Sequence, residues 1–293
     1  MTAYHAGELE VQRRMGQTEI AVRVGRMIRT EIPAAAAAFL AEQPMVVLAA
    51  TDDEGRVWAS LVTGHAGFVH ADTDHTIAVD ALPVPGDPLH DVVRRPDQQV
   101  GMIAIEPQTR RRMRVNGVAQ PTDDGLRIHP DQVYSNCPKY ISRRHIDGVA
   151  EETHRPAGRH ADVLDERLQQ IVTRSDTFFI GSADPDGNAD ASHRGGNPGF
   201  LQVLSPNRLR WPDYRGNSMF MTLGNISANP RCGLLIPDWQ TGTTLQLTGT
   251  AEIIWDEGPQ CSVEFTVAEV IELTDVSPLR WGQAELSPAN PAR

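Results

Sequence analysis

The stretch Ser182-Ala183-Asp184-Pro185-Asp186-Gly187, followed by Ala189-Asp190-Ala191-Ser192, has a counterpart earlier in the chain. That counterpart is Ala50-Thr51-Asp52-Asp53-Glu54-Gly55, followed by Val57-Trp58-Ala59-Ser60. The offset is 132 residues (187 minus 55), and it continues without a gap. Gly64 falls on Gly196, Phe68 on Phe200, Gly101 on Gly233, Gln108-Thr109 on Gln240-Thr241 and Gly117 on Gly249. Single matches arise by chance; a sustained register indicates a duplicated domain.

Each copy has the same expected plan. A helix comes first: Pro33 suits a first helical turn and Ala34 to Ala38 are strong helix formers. In the second copy the helix is expected over 161–174, where Leu164, Leu168, Ile171 and Val172 share one face. Met45 to Ala50 and Thr177 to Ala183 read as buried strands, each closed by a glycine turn. Further strands are expected at 67–70, 76–79, 100–105 and 112–119, and again at 200–204, 208–212, 232–236 and 244–254. Many short strands with few helices point to small, partly closed barrels. The fold expected is mainly β with peripheral helices: an arm over 1–32, one barrel over 33–144, a polar linker over 145–160 and a second barrel over 161–293.

The chain has 293 residues, 27 basic and 38 acidic, a net charge of −11. That balance disfavours nucleic acid as a partner. No apolar run reaches membrane-spanning length. The polar start, Met1 to Glu10, does not resemble a secretory signal, so a cytoplasmic location is expected. Cys137, Cys232 and Cys261 form no CxxC pair, and His65, His70 and His75 align on neither a helix nor a strand, so no metal site is expected.

Differences between the copies indicate where chemistry lies. Arg194 stands where the first copy has Val62, and His193 where it has Leu61. Arg215 has Pro83 as its counterpart. Arg215-Gly216-Asn217 precedes Ser218 to Ile226, which reads as a helix with Asn217 as its N-cap. A helix start with a forked guanidinium suits a terminal phosphate. An ordinary capped helix with a solvated arginine fits the same residues. His193 beside Arg194 is either a proton donor or a residue of the opposite strand face.

The runs Ser192-His193-Arg194-Gly195-Gly196, Trp211-Pro212-Asp213, Arg215-Gly216-Asn217 and Asn225-Ile226-Ser227-Ala228-Asn229-Pro230 resemble the pyridoxamine 5′-phosphate oxidase-like, FMN-binding split-barrel superfamily. The first copy adds Val57-Trp58-Ala59-Ser60-Leu61, Gly86-Asp87-Pro88-Leu89 and the segment Tyr134 to Arg144. The whole is similar to the duplicated branch often labelled flavin-nucleotide-binding. The resemblance implies tandem split barrels with one FMN at their interface. It places Arg215, Asn217 and Ser218 at the phosphate, and Ser192 and Arg194 beside the ring or ribityl chain. Trp211 and Asp213 would line the ring, and Tyr134 and Lys139 would close over it or meet substrate. The Ser-Arg-Lys phosphate motif of the true oxidases is absent. The implied function is an FMN-dependent oxidoreductase acting on a small soluble substrate, with NAD(P)H as donor. The rival readings are a non-catalytic flavin sensor, carrier or store, and a split barrel that uses F420 or haem. There is no GxGxxG segment for a separate dinucleotide domain, and homodimerisation stays open.

Overall fold

The computed structural model describes residues 4–150 and 156–292. Two short helices open the chain, α1 (Ala6–Arg14) and α2 (Thr18–Gly25), followed by α3 (Ala34–Ala41). The first half then forms β1 (Met45–Thr51), β2 (Val57–Thr63), β3 (Val69–Thr73), β4 (Thr76–Val79), β5 (Gln98–Glu106), β6 (Arg111–Pro121) and β7 (Leu126–Ser135). Two short strands follow, β8 (Ile146–Val149) and β9 (Gly158–Ala161), and then α4 (Glu166–Arg174). The second half forms β10 (Thr177–Ala183), β11 (Ala189–Gly195), β12 (Gln202–Ser205) and β13 (Arg208–Pro212). It continues with α5 (Met221–Ala228), β14 (Arg231–Pro237), β15 (Thr244–Trp255), β16 (Cys261–Leu273) and β17 (Leu279–Trp281).

The two large antiparallel sheets share one strand order. The first runs β2-β1-β5-β6-β7-β4-β3 and the second β11-β10-β14-β15-β16-β13-β12. β1 and β10 are buried along nearly their whole length. Such strands lie between two apolar layers, which explains their unbroken runs of hydrophobic residues. Here one layer is the core of the strand's own half and the other is the opposite half. Glycines allow that contact. A Cβ on Gly101 would stand 2.6 Å from the backbone of Asp190 and Ala191, and one on Gly233 would stand 2.4 Å from the Val57 carbonyl oxygen. The halves therefore meet backbone against backbone, at the glycine pair related by the 132-residue offset.

Several expectations are corrected. The second-copy helix begins at Glu166, not at 161, because the Asp165 carboxylate accepts the Leu168 N–H at 2.8 Å and fixes the start there. Residues 158–161 pair instead with β16. The linker contains β8, which pairs with β17, while residues 151–155 lie outside the described residues. The helix expected from Ser218 starts at Met221, and Asn217 is not its cap. Ser218 and Phe220 have φ of 64° and 59°, left-handed values that break helical continuity before Met221. β7 and β16 were not expected from the sequence.

The arm packs over the second half. Gln12 Nε2 donates to the Met219 carbonyl at 3.0 Å, and the Ser218 hydroxyl donates to Gln17 Oε1 at 2.8 Å. Glu8 on α1 is buried, and its pKa rises from 4.5 to about 8, chiefly through burial, with Asp190 and Asp184 adding repulsion and the His5 N–H opposing. The folded state thus keeps a proton that the unfolded chain has already released. Stability from protonated Glu8 is full below pH 4.5, falls as pH rises towards about 8 and is flat beyond it. Protection of the α1 amides, taken relative to their intrinsic exchange, should fall over that window, and Glu8→Gln should remove that fall. Parallel profiles for the two proteins would refute this role.

No helix of the described residues is long and apolar enough to cross a membrane.

Candidate functional site

A cleft between the halves is lined from both sides. β6 brings Arg112 and Arg114, two residues apart and so on one strand face. β11 brings His193 and Arg194. Both border the cleft because β11 is the edge strand of its sheet and lies between the halves. The segment from Asp213 to Leu223 closes the third side and ends on the first turn of α5. The cleft encloses about 760 Å³, counting the space open to solvent.

Its charge is poorly compensated. Arg114 is buried and ion-paired with Asp190 at 3.1 Å, and Asp190 also accepts from Tyr134 and Asn116. Arg194 meets Asp213 at 3.7 Å, a loose contact, and donates to the His193 carbonyl. Among the described residues Arg112 has no carboxylate partner: its donors reach His193 Nδ1 at 2.7 Å and the carbonyls of Cys137 and Lys139. The Nε atoms of Arg112 and Arg194 are buried without any hydrogen-bond partner. Burial, then Arg114 and Arg194, push Arg112 down to about 9. Since Arg112 donates to Nδ1, the His193 proton sits on Nε2. Burial and the surrounding arginines hold that imidazole well below its usual value, so it is neutral. Burial raises the Asp213 carboxyl, which Arg194 opposes.

The backbone around the cleft is unusual. Tyr140, Ser218 and Phe220 all border it and all have positive φ. Such conformations cost about 1–3 kcal/mol each and collect at functional sites. Among the described residues no side chain caps the start of α5, and its first-turn residues Met221, Thr222 and Leu223 line the cleft; an uncapped helix start suits an anion.

The expected residues divide into three groups. Arg194, Asp213, Asn217 and Ser218 border the cleft. Asn217 accepts the Met219 N–H at 3.1 Å, shaping the turn before α5, and the Ser218 hydroxyl is committed to the arm. Ser192 and Tyr134 lie behind the wall: Ser192 is bonded to Thr222 Oγ1 at 2.7 Å, and Tyr134 is buried against Asp190. Three side chains are elsewhere. Trp211 is buried in the core of the second half against Phe178 and Phe265, because strand alternation turns it inward. Lys139 is exposed, and only its carbonyl reaches the site, through Arg112. Arg215 is exposed as well; its carbonyl accepts the Tyr140 hydroxyl at 3.1 Å while its guanidinium stays outside the cleft.

Sequence reasoning missed Arg112, Arg114 and Asp190. The signal was present. At the 132-residue offset Arg112 falls on Thr244 and Arg114 on Gln246, so the first copy also has cations that its twin lacks. The symmetry-related place is filled differently: Gln246 donates to Ser60 and Asp87, and Trp239 and Trp281 pack together near Leu61.

Residues 164–270 match the family profile described as Pyridoxamine 5'-phosphate oxidase. The matched segment lies in the second half of the chain. It contains β11, β13 and α5, which form the second-half side of the cleft. Among solved structures, the chain is similar to a putative pyridoxamine 5'-phosphate oxidase from Lactobacillus delbrueckii, with 20% identity, 38% of this chain and 94% of that one covered, and a TM-score of 0.31. A protein of Clostridium acetobutylicum related to general stress protein 26 matches at 14% identity over 41% of this chain and 96% of its own, with a TM-score of 0.31. A FAD-binding protein from Mesorhizobium loti matches at 13% identity over 40% and 99%, with a TM-score of 0.29. No curated protein matches the chain. Among the described residues, no group of His, Cys, Asp or Glu is placed to hold a metal ion.

Proposed function

We propose that the protein binds one FMN in the cleft between its halves and acts as a flavin-dependent oxidoreductase on a small substrate, with NAD(P)H as donor. One observation carries this reading: buried arginine donors without partners, from both halves, converge with an uncapped helix start on a single cleft. Buried cations of that kind need an anion, and a mononucleotide supplies both a phosphate and an electron-rich ring. The family match of the second half supports flavin over other anions.

In this reading Arg112, Arg194 and the first turn of α5 hold negative charge, and Arg215 does not. Bound FMN would supply the hydride and electron chemistry. The chain's own groups set its surroundings. Arg114 and Asp190 fix the wall between the halves. Neutral His193 presents its Nε2–H, and Arg112 keeps that tautomer. No nucleophile or paired carboxylates are needed.

The test is reconstitution with FMN followed by anaerobic mixing with NADPH or NADH. Loss of the flavin's visible absorbance is expected. A flavin that binds but is not reduced by either donor would favour the carrier or sensor reading, and tight uptake of F420 or haem in its place would overturn the assignment.

A further inference from the structure

A second depression lies on the first half, beside the cleft. Its accessible apolar surface comes from Ala35 and Ala36 of α3 and from Met27, which is 48% exposed, while Phe39 and Met113 lie largely buried beneath. An exposed methionine beside accessible alanines leaves apolar surface uncovered. The groove spans about 1380 Å³, counting the space open to solvent.

Its rim is cationic. Arg110 and Arg111 are already paired with Glu285 and Glu106. Arg26 and Arg29 are exposed, and among the described residues no carboxylate pairs with either guanidinium. At the inner end, Arg112 and Asn136 border both the groove and the cleft, and Arg112 Nε and Asn136 Oδ1 are buried without partners. In a chain of net charge −11, an apolar floor with free cations and unfilled polar atoms selects its occupant by charge as well as greasiness.

We propose that this groove binds a small apolar acid, with an acyl or aryl body on Met27, Ala35 and Ala36 and a carboxylate or sulfonate facing Arg26 and Arg29. The binding stands on the groove alone. That the acid is the substrate rests on the flavin reading above, because Arg112 is the shared wall.

The experiment uses the full chain and anilinonaphthalene sulfonate, whose fluorescence rises in apolar sites. Saturable binding is expected, displaced by decanoate far more readily than by decanol. Two variants check the location. Ala35→Trp fills the floor from an exposed helix position, and Arg26→Glu with Arg29→Glu reverses the rim. The charge reversal should weaken the probe by roughly tenfold, the scale of two lost exposed ion pairs turned repulsive, and Ala35→Trp should weaken it as well. Thermal unfolding and FMN affinity should not move, and FMN titration of the same samples reads the flavin proposal separately. The idea is overturned if decanol competes as well as decanoate, if only an oligoglutamate peptide displaces the probe, or if the charge-reversed variant binds unchanged.

Discussion

Arg112→Ala weakens FMN binding by about 1.5–3 kcal/mol, roughly ten- to hundredfold, the scale of charge-assisted hydrogen bonds lost in a partly buried site. Arg112 is singled out because, among the described residues, it alone of the cleft arginines has no carboxylate partner, while Arg114 has Asp190 and Arg194 has Asp213. Removing it takes away charge that only a ligand balances. Its bonds to the carbonyls of Cys137 and Lys139 also hold the loop after β7, so Arg112→Lys is the useful companion: it keeps the charge and loses the fork. An intermediate affinity is expected for it. Arg215→Ala is the contrast. Its guanidinium is exposed outside the cleft, so its loss should cost less than about 1 kcal/mol. Flavin fluorescence quenching measures all three. Equal losses for Arg112→Ala and Arg215→Ala would return the phosphate to the loop before α5.

Gly101→Ala should be a damaging small change at the junction of the two halves. The new methyl would lie 2.6 Å from the backbone of Asp190 and Ala191, and backbone cannot swing aside as a flexible side chain can. Overpacking of this kind costs about 1–3 kcal/mol, occasionally more, which for a chain of this size lowers Tm by roughly 2–5 °C. Gly233→Ala meets the Val57 carbonyl in the same way and should behave alike. Gly148→Ala serves as the control, since nothing lies within 4 Å of its added Cβ. Because Gly101 presses on Asp190, which anchors Arg114, the Gly101 variant should lose FMN affinity together with stability. A Tm equal to that of Gly148→Ala would mean the halves do not meet as closely as the glycine pair implies.

What the sequence displayed well was whatever is encoded locally. The strands Thr177–Ala183, Thr76–Val79 and Arg208–Pro212 fall where expected, because turn residues bracket each of them. β16 went unread because Glu264, Glu269 and Glu272 interrupt its apolar residues. Those carboxylates are satisfied only in the folded chain, where Arg208 and Arg210 meet Glu264, Arg56 meets Glu269 and Arg167 meets Glu272. β8 and β9 exist through partners far along the chain, which no local pattern announces. The start of α5 was misplaced because Ser218 and Phe220 take left-handed conformations without being glycine.

The site was legible by half. Comparing the two copies identified Arg194, because a cation had replaced Val62 in an otherwise matching strand. A cleft between two related bodies takes one face from each, so cations peculiar to the first body, Arg112 and Arg114, carry equal weight. Trp211 shows a different limit: alternation says that neighbours point to opposite faces, but not which face is the core.

Titration of the flavin-free full chain with FMN, followed by absorbance and by fluorescence quenching, is the decisive measurement. A single saturable site per chain is expected, with bands near roughly 375 and 450 nm, a property of the flavin itself, and with affinity sharply reduced in Arg112→Ala. Saturation at two flavins per chain, or affinity indifferent to Arg112 and Arg194 together, would contradict a single anion site built jointly by the two halves.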